Sequence, residues 1–149
     1  MIVPDLNLLL YAHIDGFDRH AEARGWWENV LSGDDMVGIP PVVAMGFVRL
    51  ATSSRLTERP MRVPAASAVV RSWLDQPHVR LLSSDRRHVE ESLDLLAGSG
   101  AGGNLTTDAQ IAAHATLEGA TVASNDADFH RFDGLAVINP LAGSKRSAD

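Results

Sequence analysis

Met1-Ile2-Val3-Pro4-Asp5-Leu6-Asn7-Leu8-Leu9-Leu10-Tyr11 begins with an apolar pair, halts on an acid and runs on through almost unbroken aliphatic side chains. Ile2 and Val3 read as a short strand ending at Asp5. The segment from Leu6 to Tyr11 is too continuously apolar to be one face of a surface helix, so this first unit is buried. Moving outward, residues 36–39, 78–82, 120–123 and 135–138 repeat the short apolar strand, each separated from the next by a helical or turn-rich segment. Strands of this kind, alternating with helices, predict a mostly parallel α/β sheet of about five strands covered on both faces.

The intervening segments carry their own punctuation. A polar helix of about 14 residues is predicted from Asp18, with Ala21, Trp26, Val30 and Leu31 inward, Glu22, Arg24 and Glu28 outward, and Gly33 as its stop. Pro40 and Pro41 suit the opening of a helix through Val43, Phe47 and Leu50, because proline lacks only an amide hydrogen that the first turn leaves unpaired. A loop holding Pro60 and Pro64 leads to a helix near residues 65–74. Ser84 or Asp85 caps a helix reaching Ala97. Residues 98–103 form the most flexible interior stretch, and residues 105–117 read as a helix ended by Gly119. One domain over residues 1–142 is expected, followed by a polar tail at 143–149.

Composition limits the chemistry. The 149 residues suffice for a core burying roughly 70% of the unfolded surface. No apolar run approaches the roughly 20 residues of a membrane span, and no basic segment precedes an apolar one as in a secretory leader, so a soluble, cytoplasmic protein with no membrane partner is expected. The chain has no cysteine, which removes disulfides, thiolate nucleophiles and Cys-based zinc sites together. Any metal must then sit on oxygen or imidazole. A net charge of −6 speaks against binding nucleic acid through a broadly basic surface. Arg49, Arg55, Arg59 and Arg62 nevertheless make a local basic strip containing one acid, Glu58. Such a strip is either a solvated face or a guide for RNA phosphates or a protein partner.

Functional groups in open parallel sheets collect beyond the carboxyl ends of the strands. Asp5 ends the first strand, and Asp126 and Asp128 follow the fourth in Ser124-Asn125-Asp126-Ala127-Asp128-Phe129. Asp108 stands in the first turn of a predicted helix, where the helix dipole favours a negative side chain. An aspartate after a strand is most often a turn or cap residue. If the first and fourth strands are neighbours, however, four carboxylates meet in one pocket. Crowded carboxylates repel, and hard divalent metal best explains them, Mg²⁺ or Mn²⁺ rather than zinc. Such a site suits attack of water on a phosphodiester. Asn7, Asn104, Thr107, Ser124 and Asn125 are candidates to orient carboxylates or water, with Asn7 and Asn104 more simply read as caps. The six histidines show no metal spacing and read as surface or partly buried groups. Trp26, Trp27 and Trp73 read as core or dimer contacts.

These pieces together resemble PIN-domain ribonuclease toxins of the VapC family, particularly their actinobacterial branch. The resemblance rests on Asp5-Leu6-Asn7-Leu8-Leu9, Phe47-Val48-Arg49-Leu50-Ala51-Thr52, Gly103-Asn104 leading to Asp108-Ala109, Gly119-Ala120-Thr121, Asp126-Ala127-Asp128-Phe129 and Asn139-Pro140-Leu141. It implies a three-layer α/β/α fold, Mg²⁺- or Mn²⁺-dependent endoribonuclease activity on an RNA substrate, a homodimer and a cognate antitoxin. By matching position it makes Asp5, Asp108, Asp126 and Asp128 the metal-site acids, with Asp5, Asp108 and Asp126 catalytic. One departure stands out. The family has a further acid, usually glutamate, early in the helix after the second strand; residues 39–51 contain none, and Gly46 is the nearest equivalent. A receiver domain would need an interior lysine, whereas the only lysine is Lys145, and a haloacid-dehalogenase-like phosphatase would need Asp-x-Asp where Asp5-Leu6-Asn7 stands. The remaining alternative is a PIN-like domain that binds RNA or an antitoxin without cutting.

Overall fold

The computed structural model describes residues 1–142, so the tail expected at 143–149 lies outside the described residues. Strands β1 (Ile2–Pro4), β2 (Val37–Ile39), β3 (Val79–Leu81), β4 (Thr121–Ala123) and β5 (Val137–Ile138) form one sheet in the order β3-β2-β1-β4-β5, and every pairing is parallel. Helices α1 (Leu6–His13), α2 (His20–Ser32), α3 (Pro41–Ala51), α4 (Val63–Leu74), α5 (Arg86–Ser99) and α6 (Leu105–Glu118) complete an α/β/α arrangement. Val3, Val37, Ile39 and Val122 on the three inner strands are fully buried, as strands covered from both sides must be. Among the described residues no helix is long and apolar enough to cross a membrane.

Local chemistry explains most of the boundaries. Pro41 occupies the first position of α3, where its missing N–H costs nothing. Asp85 accepts the His88 amide and caps α5. Gly119, at φ 62°, ends α6 in the left-handed conformation that glycine adopts without strain, and the Ala120 amide turns back to Ala115 O at 2.8 Å. Two expectations shift. Pro64 belongs to the first turn of α4 rather than to the preceding loop, because that turn tolerates proline as well as a loop does. In α2 the fully buried residues are Ala23 and Trp27, while Ala21 is exposed and Trp26 half-buried. The helix begins at His20, and its phase is set by docking against α1 rather than by its own weak amphipathicity.

Trp27, Phe47, Trp73 and His13 form an aromatic cluster that ties together α1, α2, α3 and α4. Trp73 Nε1 donates to His13 Nε2 at 3.3 Å, and His13 Nδ1 bonds Leu9 O at 2.8 Å. Burial, outweighing the Leu9 bond and reinforced by His20 and Arg24, lowers the His13 pKa.

The histidine reading fails at two positions. His88 and His114 are buried, 2% and 3% exposed, and their rings stack at 3.6 Å where α5 meets α6. The His88 ring bonds Gln110 O at 2.8 Å and the His114 ring bonds Ser84 Oγ at 3.3 Å, so each ring has one partner inside, while His88 Nδ1 has none among the described residues. Burial, and then the neighbouring His88, push the His114 pKa down to about 4. The sign follows by linkage: the unfolded chain takes up a proton near pH 6.5 that the folded chain refuses until about pH 4, so this stability is present above 6.5 and lost as pH falls. In His114→Phe, which keeps the stack but cannot titrate, the fall in unfolding free energy between pH 6.5 and 4 should be shallower by about 2 kcal/mol. Parallel urea titrations across that range would show it; identical slopes would remove the pair as an acid-sensitive element.

Candidate metal centre

From β1 the sheet extends to β2 and β3 on one side, and through β4 to β5 on the other. Connections that diverge at such a point leave a crevice beyond the carboxyl ends of the strands. Asp5 directly follows β1, and the turn Ser124-Asn125-Asp126 directly follows β4. The register pairs Pro4 with Ala123, and the Asp5 amide donates to Ala123 O at 2.9 Å, so both loops leave the sheet at the same level.

A run of hydrogen bonds then fixes the acids. Ser124 Oγ donates to Asp5 Oδ2 at 2.8 Å and accepts the Asp126 amide at 2.9 Å. Asp126 Oδ1 accepts the Asp128 amide at 2.9 Å, which caps a 3-10 helix over Ala127–Arg131. That capped turn, rather than an extended strand, brings Asp126 and Asp128 together. Asp108 arrives from the first turn of α6. Asp108, Asp126 and Asp128 each offer an oxygen within 4.8 Å of the others. Asp5 lies outside this trio but within its field.

The electrostatics reflect crowding. Asp5 is 4% exposed, and burial pushes its pKa up to about 6, with the Ser124 hydroxyl and the nearby Leu6 amide opposing and Asp126 adding to the rise. Burial and then Asp5, Asp126 and Asp128 push Asp108 up to about 7. Proteins tolerate this where opposite charge arrives from a ligand. Of the supporting groups, Ser124 fills the expected role. Asn125 Oδ1 is held by Asn139 Nδ2 at 3.1 Å, whereas Asn7, Asn104 and Thr107 make no side-chain hydrogen bond among the described residues. Asn104 caps α6 by position only.

Gly46 is buried in α3, and a Cβ there would sit 2.8 Å from Leu6 Cδ2. The residue following Asp5 therefore fills the space beside position 46. The group missed by sequence reading is Asn139, whose bond to Asn125 depends on β5 pairing beside β4 and has no local signal.

Residues 2–135 match the PIN domain family. The chain is a PIN domain. Across 141 residues this PIN domain is 43% identical to Ribonuclease VapC33 of Mycobacterium tuberculosis, covering 95% of the chain and 99% of that relative, which sets it in the VapC family. Among solved structures it resembles Mycobacterium tuberculosis VapC20, described as a Sarcin-Ricin loop cleaving toxin, with a TM-score of 0.72 and 20% identity over 94% of this chain and 100% of that one. It also resembles a toxin-antitoxin complex from Klebsiella pneumoniae, with a TM-score of 0.60 and 18% identity over 94% and 98%. At these identities the likeness is one of fold, and the PIN domain shares its α/β/α architecture with both.

Proposed function

We propose that this PIN domain, carried by residues 1–142, is a metal-dependent endoribonuclease that hydrolyses RNA phosphodiester bonds. On this reading it acts in the cytoplasm as the homodimeric toxin of a toxin–antitoxin pair. The observation that carries the reading is the convergence of Asp108, Asp126 and Asp128, with buried Asp5 in their field, at the β1/β4 crevice. The ribonuclease relatives support RNA as substrate, and the likeness to the Klebsiella pneumoniae toxin-antitoxin complex supports an antitoxin partner. The donor set consists of oxygens alone, which fits Mg²⁺, with Mn²⁺ as a substitute. Asp5, Asp108, Asp126 and Asp128 would hold the ion. When bound, it would lower the pKa of water and neutralise charge developing on the phosphate. Ser124 orients Asp5 and locks the Asp126 turn, so the carboxylates are positioned before substrate arrives.

The pure protein should cleave structured RNA with Mn²⁺ or Mg²⁺ and lose that activity in EDTA. Cleavage unaffected by EDTA would end the metal reading. One observation favours a second reading, a domain that binds RNA or antitoxin and cuts feebly or not at all: Leu6 occupies the space beside Gly46 where the family supplies its further acid.

The pKa shifts give a readout independent of turnover. An acid whose pKa is raised on folding costs stability as pH climbs, here between about 4 and 7, and a bound cation relieves that cost. The rise in Tm on adding Mn²⁺ should therefore grow from pH 5.5 to pH 8. A rise independent of pH would place the ion elsewhere.

A further inference from the structure

A cavity of about 350 Å³ opens directly beside the acids, lined in part by Ser124, Asn125, Asp126, His130, Val137 and Asn139. Its polar groups are oriented by a chain that starts in the backbone. The Leu141 amide can only donate, so the Asn139 atom it meets at 3.0 Å is Oδ1. Asn139 Nδ2 must then be the atom facing Asn125 at 3.1 Å, and that Asn125 atom must be Oδ1. The Asn125 amide is thereby fixed with its oxygen engaged and its two N–H groups without a partner among the described residues. His130 is exposed and makes no side-chain hydrogen bond there.

We propose that this cavity is a nucleobase subsite, taking the base next to the scissile phosphate and favouring guanine over adenine. The proposal rests on the ribonuclease reading and adds the identity of a recognised base. An asparagine free to present both oxygen and nitrogen pairs with adenine N6 and N7, since one accepts and the other donates. With Oδ1 already engaged by Asn139 Nδ2, Asn125 has two unpartnered donors against one remaining oxygen lone pair, and guanine presents two adjacent acceptors, O6 and N7. His130 supplies an imidazole face on which an unstacked base lies, a contact that any base makes. Asp126 lines the same cavity, so a base seated there holds its own phosphate at the acids.

Binding without cleavage tests this. In EDTA, the anisotropy of a fluorescein-labelled eight-residue oligoadenylate is compared with that of the same RNA carrying one guanosine or one 7-deazaguanosine. The guanosine RNA should bind about tenfold more tightly than either of the others. Asn125→Ala should abolish that preference. Asn139→Ala, which frees the Asn125 amide to rotate and present its oxygen as well, should reduce that preference by tightening the binding of oligoadenylate. His130→Ala should weaken all three RNAs alike. Equal binding of the three by the wild type, a preference surviving in Asn125→Ala, or no RNA binding at all would overturn the subsite. Cleavage without guanine preference removes the subsite and leaves the nuclease; preference without cleavage in Mn²⁺ does the reverse.

Discussion

Replacing Asp108 with asparagine should lower RNA cleavage roughly 100-fold or more, while making the metal-free protein more stable. Groups that merely orient metal ligands typically cost 10–100-fold when removed, so losing a ligand sets that range as a floor. The stability change runs the other way because Asp108 is held against burial and against Asp5, Asp126 and Asp128, which together push its pKa up to about 7. At pH 8 asparagine removes the charge and keeps the shape, and Tm without metal should rise by about 3 °C. The stabilisation conferred by Mn²⁺ should shrink in the same variant. Thermal melts with Mn²⁺ or with EDTA, beside a cleavage assay, check both halves. Wild-type cleavage together with an undiminished Mn²⁺ response would show that Asp108 is no part of the centre.

The second large effect concerns the scaffold. Trp73→Ala should cost about 3–5 kcal/mol, as large-to-small changes at well-packed aromatic sites do. Trp73 is 1% exposed, and its ring lies 5.0 Å from Phe47, 5.3 Å from His13 and 5.9 Å from Trp27. The cavity left behind would open among four helices, and the truncation also removes the Nε1 donor to His13. A small domain has about 5–15 kcal/mol in total, so the variant should unfold at a much lower urea concentration. Because α1 begins beside Asp5 and ends at His13, loosening its far end should also broaden the distribution of site geometries. A loss of under about 1 kcal/mol would mean that the cluster repacks without strain.

The sequence made some of this legible because it left little freedom. A run such as Met1 to Tyr11 admits only burial, though it does not itself say that a helix follows the strand, and Gly119, Asp85 and Pro41 each impose a boundary through their own backbone chemistry. Asp5 and Asp126 were readable as strand-end acids. Their meeting depended on β1 and β4 being neighbours, which no local pattern states, since the pairing joins segments more than a hundred residues apart. Other features turned on tertiary context. His88 and His114 are polar by type and buried because each finds the other and a fixed partner. The α2 phase that buries Ala23 and exposes Ala21 is chosen by α1. The fit of Leu6 over Gly46 joins neighbouring helices, and the Asn125–Asn139 bond joins loops following adjacent strands.

The bond between Ser124 and Asp5 spans 119 positions of sequence. During synthesis Asp5 leaves the ribosome well before Asp126 does. A nascent chain extended only to Gly119 already holds Asp5 and Asp108, yet has no β4 to seat beside β1 and no turn to bring Asp126 and Asp128. At translation rates of about 5–20 residues per second, the acids stay apart for some seconds after Asp5 has been made. The order of the chain thus makes Asp5 and Asp108 before β4 and its turn exist, so the four acids of the proposed centre meet only after Asp128 has been made.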